Sequence, residues 1–187
     1  MDVTVLALEV HEALVAGGVP HAFGGALAFG YYAETRATVD ADVSVFVDIS
    51  EIEPVIELLR ALGLEPVSDA STRMPIAGVQ LHRPATRDRC DLFPDLDPRY
   101  AEIRARCRTF PFGPDAAPLP FLSVEDVVMF KLSFGRPKDW VDLQSLVAYN
   151  PGLDVDQIED LLLDLRGPSM NPRLARLRAM RREAQEG

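Results

Sequence analysis

Two aspartates separated by one residue are the strongest chemical signal in this sequence. Asp40 and Asp42 fall in a run whose odd positions are apolar, from Val39 to Val47, and this alternation predicts a strand over residues 39–48. Both carboxylates would then project from one face of the strand, with their backbones about 7 Å apart. Like charges at this separation repel each other, and a cation would neutralise them. Because hard oxygen ligands beside phosphate suit Mg²⁺, the pair indicates magnesium-dependent phosphate chemistry.

Asp91 is a candidate for a third carboxylate at the same place. It lies in the middle of a second predicted strand, Arg89–Phe93, and an adjacent strand would bring it beside Asp40 and Asp42. Three carboxylates on neighbouring strands could hold two metal ions for an in-line displacement on phosphorus. Asp91 is also a candidate general base for an acceptor hydroxyl. An isolated Asp-x-Asp pattern is equally compatible with a solvated strand face, so further signals are needed.

A glycine pair supplies one such signal. Gly24 and Gly25 follow a short predicted strand, residues 19–23, and precede a small-residue helix, residues 26–32. The N–H groups of such a turn, with the helix N-terminus behind them, can bind a phosphate because no Cβ blocks its approach. A tight turn with close helix packing is the alternative. The succession of strand, Gly-Gly turn, helix and Asp-x-Asp strand is typical of the nucleotidyltransferase fold that resembles DNA polymerase beta.

The elements that must position these residues divide the chain into two halves. Further strands are predicted at residues 79–82 and 89–93, and residues 109–122, with four prolines, are predicted to be a surface linker. We therefore expect an α+β protein, with a mixed sheet and flanking helices in a nucleotidyltransferase core at residues 1–115 and a helical C-terminal subdomain at residues 116–187. The predicted C-terminal helices are Ser123–Phe134, Pro137–Tyr149, Val155–Leu165 and Arg173–Glu183.

Two blocks of sequence resemble the AbiEii/MenT family of nucleotidyltransferases. The first is HAFGGALA at residues 21–28, followed by RATVDADV at residues 36–43. The second, more distinctive block is EDVVMFKL at residues 125–132, followed by GRPKDWVDL at residues 135–143. The resemblance covers residues 19–148. It implies that the paired aspartates bind metal and that the glycines contact a nucleoside triphosphate (NTP).

The same resemblance implies that a lysine and an aspartate of the helical block complete the active site. Here they are Lys131 and Asp139, with Asp142 as a second candidate. A lysine at the edge of an apolar helix face can bind phosphates as a compact charge, although a surface lysine often has no such role. Asp139 and Asp142 are three residues apart near a helix N-terminus, so one of them could instead be a cap or a partner for Arg136 or Lys131.

Thr38 is a candidate nucleotide-binding and regulatory residue. It lies two residues before Asp40, so in an extended strand its hydroxyl would face the same way as the carboxylates. A phosphate on Thr38 would add about two negative charges there and obstruct nucleotide binding. A cognate antitoxin could silence the enzyme in this way, although threonine is also an ordinary strand residue.

Composition limits the class of protein and its partners. The chain has 187 residues with net charge −10, and residues 1–70 carry all of this excess, which argues against a non-specific DNA-coating protein. Two cysteines cannot form a disulfide framework, and no apolar run is long enough to span a membrane, so we expect a cytoplasmic protein with neither a membrane nor a disulfide partner. Arginines cluster at two places, where they could guide RNA or be solvated helix faces. These are Arg99, Arg104, Arg106 and Arg108, and then Arg173, Arg176, Arg178, Arg181 and Arg182.

The resemblance favours a toxin of a bacterial toxin–antitoxin system. Members of the MenT branch transfer nucleotides to the 3′ end of tRNA and block aminoacylation. We therefore expect Mg²⁺-dependent transfer of a nucleoside monophosphate from an NTP to an RNA acceptor, with release of pyrophosphate. The alternatives are a nucleotidyltransferase that modifies a small molecule or a protein, and a catalytically silent domain that only binds a partner.

Overall fold

The computed structural model describes residues 2–67, 78–86 and 88–186. Internal contacts divide the chain into two compact units, the first formed by Met1–Leu27 with Ala37–Leu122 and the second by Ala28–Arg36 with Ser123–Gly187. The folding domains predicted at residues 1–115 and 116–187 stay a prediction. None of the helices in the described ranges is long and apolar enough to cross a lipid bilayer.

Within the described ranges, the first unit contains a mixed sheet of seven strands, and helices pack with it. The strands are β1 (His21–Phe23), β2 (Asp40–Asp48), β3 (Glu65–Pro66), β4 (Val79–Arg83), β5 (Asp88–Asp95), β6 (Arg108–Phe112) and β7 (Ala117–Phe121), and the helices are α1 (Val3–Ala16), α3 (Ile52–Arg60) and α4 (Tyr100–Arg106). The order of the strands in the sheet is β3-β4-β5-β2-β1-β7-β6, and a 3₁₀ turn at Ile49–Glu51 precedes α3.

Strand β2 runs through the middle of the sheet, parallel to β5 and antiparallel to β1. Its odd positions Ala41, Val43 and Val45 are fully buried, as the alternation predicts. Val39, predicted to begin the strand, lies outside it and is 72% exposed. Burial alternates only in the first half of β2, because the two even positions that follow are buried as well. The partly exposed face of the strand therefore lies at the end that carries Asp40 and Asp42.

The proline-rich segment of residues 109–122 is not a linker, and this prediction was wrong. It forms the hairpin of β6 and β7, whose paired residues include Pro111 with Pro118 and Thr109 with Pro120. Alternate pairs of an antiparallel ladder exchange hydrogen bonds, and the three prolines all fall in one alternate set. Their missing N–H groups are therefore compatible with the ladder. Proline composition alone does not reveal this spacing.

Four helices make up most of the second unit. Ser123 caps the first, its hydroxyl accepting from the Asp126 N–H at 3.2 Å, and Gly135 ends it in the left-handed conformation. Pro137 begins the next helix, where its missing N–H leaves no hydrogen bond unmade. The α+β class and the helical C-terminal half are confirmed. The helices are α5 (Val124–Phe134), α6 (Pro137–Tyr149), α7 (Val155–Arg166) and α8 (Asn171–Glu186), with a 3₁₀ turn at Pro168–Met170; α2 (Gly25–Tyr32) begins in the first unit and ends in the second.

Candidate active site

Register brings the three candidate carboxylates to one face of the sheet. In the parallel pairing of β2 with β5, Asp40 lies opposite Arg89 and Asp42 lies opposite Asp91. Side chains at paired positions project to the same face, and so do residues two apart on one strand. Asp40, Asp42, Asp91 and Arg89 therefore form a charged quartet with net charge −2.

Asp40 and Asp91 each accept a hydrogen bond from a side chain on a paired strand. Arg89 Nε donates to Asp40 Oδ1 at 2.9 Å, and Gln80 Nε2 donates to Asp91 Oδ1 at 3.0 Å. Within the described ranges, no three His, Cys, Asp or Glu side chains converge as a metal-binding group. Asp40, Asp42 and Asp91 are neighbours in the sheet. The hydrogen bonds from Arg89 and Gln80 fix the direction of one oxygen each of Asp40 and Asp91.

The Gly24-Gly25 turn is closely fitted to Asp42. The Gly24 N–H donates to the Asp42 carbonyl oxygen at 2.8 Å, which ties the turn to strand β2. Gly25 has a φ of +52°, and a Cβ at this position would overlap the Asp42 carboxylate. Only glycine combines this backbone conformation with room for the carboxylate. The carboxylate oxygens of Asp40 and Asp42 are hard donors of the kind that a divalent cation prefers, so the residues present fit such an ion.

Cys90 lies between Arg89 and Asp91 but points into the core. Its side chain is fully buried, as predicted. Burial raises the pKa of the Cys90 thiol, and the negative charges of Asp91 and Asp42 raise it further. The thiol therefore stays protonated and is inert as a nucleophile.

Thr38 does not belong to the strand that carries the carboxylates. It precedes β2 and is half-buried, and its hydroxyl donates to the Asp40 carbonyl oxygen at 3.2 Å. The Asp40 N–H also lies 3.3 Å from this hydroxyl. Thr38 thus lies outside the strand and its hydroxyl is bonded to the Asp40 backbone, and the expected orientation beside the carboxylates stays a prediction. Nucleotide binding and modification at Thr38 stay proposals.

In the second unit, Lys131 forms a buried ion pair. Its Nζ donates to Asp142 Oδ2 at 2.6 Å, and both residues are buried. Arg36 binds the same carboxylate through two hydrogen bonds of 3.2 and 3.0 Å. Both cations also lie over the ring of Phe29, at 5.3 Å for Lys131 Nζ and 5.8 Å for the Arg36 guanidinium carbon. The cluster of Lys131, Asp142 and Arg36 has net charge +1.

Asp139 has a different role from Asp142. It is fully buried, and its Oδ2 accepts from the Arg136 backbone N–H at 2.9 Å and from Arg136 Nε at 2.8 Å. The first of these bonds caps the start of α6, because the Asp139 carboxylate satisfies the N–H of Arg136, the residue that precedes the helix. Of the two alternatives left open by the sequence, Asp139 is the cap and Asp142 is the partner of Lys131.

The arginines of α8 bind mainly to groups of their own unit. Arg173 Nη1 donates to the carbonyl oxygens of Leu132 and Ser133 at 2.6 and 2.8 Å, which caps the end of α5. The Arg176 guanidinium lies 4.0 Å from the centre of the Trp140 ring. The other contacts are Arg178 with Asp156 and Glu159, and Arg181 with the carbonyl oxygens of Asn150 and Pro151.

In the earlier arginine stretch, Arg99 and Arg106 pair with Glu102 of α4, whereas Arg104 and Arg108 are exposed. The basic surface that could reach RNA is therefore smaller than the sequence suggests.

Sequence reasoning missed Arg36, Gln80 and Arg89 as members of these clusters. The signal for Arg89 was its position two residues before Asp91, which repeats the spacing between Asp40 and Asp42. Arg36 contacts a residue 106 positions away, and Gln80 acts across a strand pairing. No local pattern reveals either contact.

The fold is similar to that of solved nucleotidyltransferases. ANT(2″)-Ia, solved with adenylyl-2″-tobramycin, is 15% identical with a TM-score of 0.61, over 87% of this chain and 96% of that chain. The lincosamide antibiotic adenylyltransferase LnuA, solved with lincomycin, is 13% identical with a TM-score of 0.54, over 78% and 96%. A nucleotidyltransferase-like protein from Paracoccidioides brasiliensis is 20% identical with a TM-score of 0.52, over 92% and 89%.

The sequence matches no protein-family model and no curated protein. Membership of the AbiEii/MenT family thus stays a prediction. The similarity to solved structures establishes the fold and no narrower family. The chain has the nucleotidyltransferase fold.

Proposed function

We propose that this chain is a Mg²⁺-dependent nucleotidyltransferase, which transfers a nucleoside monophosphate from an NTP to an acceptor hydroxyl and releases pyrophosphate. The observation that carries the proposal is the fit of the Gly24-Gly25 turn around Asp42, with Asp40 and Asp91 on the same sheet face. This arrangement combines oxygen ligands with backbone donors for phosphate.

Asp40 and Asp42 would hold the metal, and Asp91 is the proposed third ligand. Bound there, one or two Mg²⁺ ions would neutralise charge on the triphosphate and on the oxygens entering and leaving phosphorus. Asp91 is also the proposed base that accepts the proton of the acceptor hydroxyl. The carboxylate would take this proton as the hydroxyl oxygen bonds to the α-phosphorus and the bond to the pyrophosphate oxygen breaks.

The chain's own phosphate contacts are proposed at two places. Gly24 and Gly25 are proposed to contact the triphosphate where α2 begins, and the N-terminus of that helix would supply the N–H donors, because the Gly24 N–H is bonded to the Asp42 carbonyl oxygen. Lys131 stays a proposed phosphate-binding residue, supported by the net positive charge of its cluster with Asp142 and Arg36. Asp139 is proposed in the active site by resemblance only, since its contacts account for it as a cap.

An RNA end is the first candidate acceptor, specifically the tRNA 3′ end. The support is the resemblance to the AbiEii/MenT family, and it brings with it the proposed role of a translation-blocking toxin with a cognate antitoxin. Modification of Thr38 by that antitoxin belongs to the same proposal. The exposed Arg104 and Arg108 could contact phosphates of the RNA backbone.

A small hydroxylated molecule is the second candidate acceptor. The observation that favours it is the pairing of Arg178 with Asp156 and Glu159, which neutralises part of the basic charge of α8 that a polyanion could use. The net charge of −10 also disfavours the binding of a polyanion such as RNA. Two proteins with this fold, ANT(2″)-Ia and LnuA, are adenylyltransferases solved with small antibiotics or their adducts.

A transfer assay tests the proposal and separates the acceptors. Each α-labelled NTP is incubated with Mg²⁺ and either total tRNA or a panel of aminoglycosides and lincosamides. Asp42→Asn removes a proposed metal ligand and should abolish label transfer. Asp115→Asn removes an exposed carboxylate in the turn of the β6–β7 hairpin and should transfer label at the wild-type rate.

Label on tRNA supports the toxin proposal, and label on a small molecule supports the second candidate. Transfer that survives in Asp42→Asn, or nucleotide binding with no transfer to any acceptor, contradicts the proposed chemistry and favours a silent binding domain.

A further inference from the structure

Arg89 is the one cation of the charged quartet, and it lies on a proposed metal ligand. The quartet consists of Asp40, Asp42, Asp91 and Arg89, and the Arg89 Nε bond to Asp40 Oδ1 is 2.9 Å long. Register makes this contact a built feature of the sheet, because Arg89 and Asp40 are paired positions of β5 and β2. A divalent cation that binds this oxygen of Asp40 must compete with the guanidinium for it.

The Arg89 side chain has further hydrogen-bonding capacity. It is 48% exposed, and within the described ranges its Nη1 and Nη2 make no hydrogen bond to the protein. A planar guanidinium with two open nitrogens matches the oxygens of a phosphate in a two-point contact. A phosphate that binds near the carboxylates could therefore replace Asp40 as the hydrogen-bond acceptor of Arg89.

We propose that Arg89 couples cation binding to nucleotide binding at this site. Arg89 holds Asp40 and weakens the binding of a divalent cation alone. The triphosphate draws the guanidinium away and frees the carboxylate for the cation. Cation and nucleotide then bind tightly only together, since each removes an unfavourable contact for the other. This inference rests on the proposed function, whose metal ligands it uses.

The first test is binding of Mn²⁺ alone, measured by electron paramagnetic resonance of the free ion. Arg89→Gln removes the competitor and should tighten Mn²⁺ binding by about 1.4- to 5-fold, the range expected for an exposed ion pair. Arg60→Gln is the matched control, because Arg60 is also about half exposed and pairs with a single carboxylate, that of Glu57 on α3. Arg60→Gln should bind Mn²⁺ as the wild type does.

The second test is calorimetric binding of the non-hydrolysable α,β-methylene analogue of each NTP at saturating Mg²⁺. Arg89→Gln should bind the preferred analogue about tenfold more weakly, because a charge-assisted phosphate contact is lost. Thermal unfolding of both variants at the wild-type temperature would show that the fold is intact.

Each outcome decides the matter. Tighter Mn²⁺ binding together with weaker nucleotide binding, in Arg89→Gln only, supports the coupling. A change in only one of the two affinities, no change, or an equal change in Arg60→Gln overturns it. If neither the wild type nor Arg89→Gln binds Mn²⁺ better than Asp42→Asn does, with or without the nucleotide analogue, the proposed function fails as well, whereas Asp42-dependent Mn²⁺ binding that ignores Arg89 overturns only the coupling.

Discussion

Lys131 and Asp142 form an ion pair of 2.6 Å in which both partners are buried. Asp142 also binds Arg36, whose side chain is 37% exposed, so one buried anion serves two cations. The ammonium group is thus already partnered, and an anion would be attracted by the charge of the whole cluster. Because Asp142 is shared, removing Asp142 and removing Lys131 should have unequal effects on stability.

The first prediction concerns that inequality. Asp142→Leu leaves Lys131 as a buried cation with no counter-ion and should lower the free energy of unfolding by about 3–5 kcal/mol. Lys131→Met should cost less than half as much, because Asp142 keeps its two hydrogen bonds to Arg36. Chemical denaturation of both variants measures the difference, and equal losses would contradict the shared-anion arrangement.

The second prediction concerns the turn against Asp42. Gly25→Ala should be destabilised by about 1–3 kcal/mol from backbone strain and should also displace the Asp42 carboxylate, which weakens Mn²⁺ binding. Gly18→Ala is the matched control, since Gly18 has a φ of +67° but open space around an added Cβ. Gly18→Ala should lose stability through backbone strain but keep the wild-type Mn²⁺ affinity. Unchanged Mn²⁺ affinity in Gly25→Ala would argue against a role for this turn.

The third prediction separates the two aspartates of α6. Asp139→Ala removes the cap on the Arg136 N–H and should cost about 1–2 kcal/mol of stability. Asp139→Glu should recover much of that loss, because glutamate is a favoured residue at the third position of a helix. Transfer activity at a temperature where both variants are folded then tests the active-site role that the resemblance gives Asp139, since a residue that only caps the helix would leave the rate near the wild-type value. A large loss in Asp139→Glu with an intact fold would instead assign Asp139 to the active site.

The fourth prediction concerns Asp95 at the end of β5. Burial raises the pKa of this carboxyl from 3.8 to about 6, assisted by Asp48 and opposed by Arg104. The folded state therefore binds the proton more tightly than the unfolded state, and the free energy of unfolding falls as the pH rises through this window. Allowing for partial exposure, the loss between about pH 4 and pH 7 is about 1 kcal/mol.

Asp95→Asn should remove that loss and be more stable than the wild type near neutral pH. Denaturation across the pH range, with Asp115→Asn as the exposed control, measures the difference between the curves. Parallel curves for the wild type and Asp95→Asn would show that Asp95 ionises freely.

Local sequence patterns predicted much of the fold. The sequence predicted α6 with its observed ends, and the alternation in β2 placed Asp40 and Asp42 on one face. Asp91 was expected on a neighbouring strand, and the pairing with Asp42 agrees with that expectation. The predictions of the helix and of the strand face succeeded because each depends on residues close together in the chain.

Features that depend on distant residues were not predictable in the same way. The contact of Arg36 with Asp142 requires the folded second unit, and the pair of Asp40 and Arg89 requires the register of two strands. The β6–β7 hairpin was missed because its prolines resemble a linker until their pairing positions are known. The roles of the candidate residues in binding and transfer stay predictions.

The β6–β7 hairpin also affects how molecules of this protein meet one another. Its outer strand β6 is one edge of the sheet, and Pro111 removes a donor there while Arg108 is exposed beside it. The opposite edge, β3, has only two residues, one of them Pro66. Proline, charge and short length each discourage a strand of another molecule from adding to an edge. The sheet thereby disfavours intermolecular strand addition, the usual first step of β-aggregation.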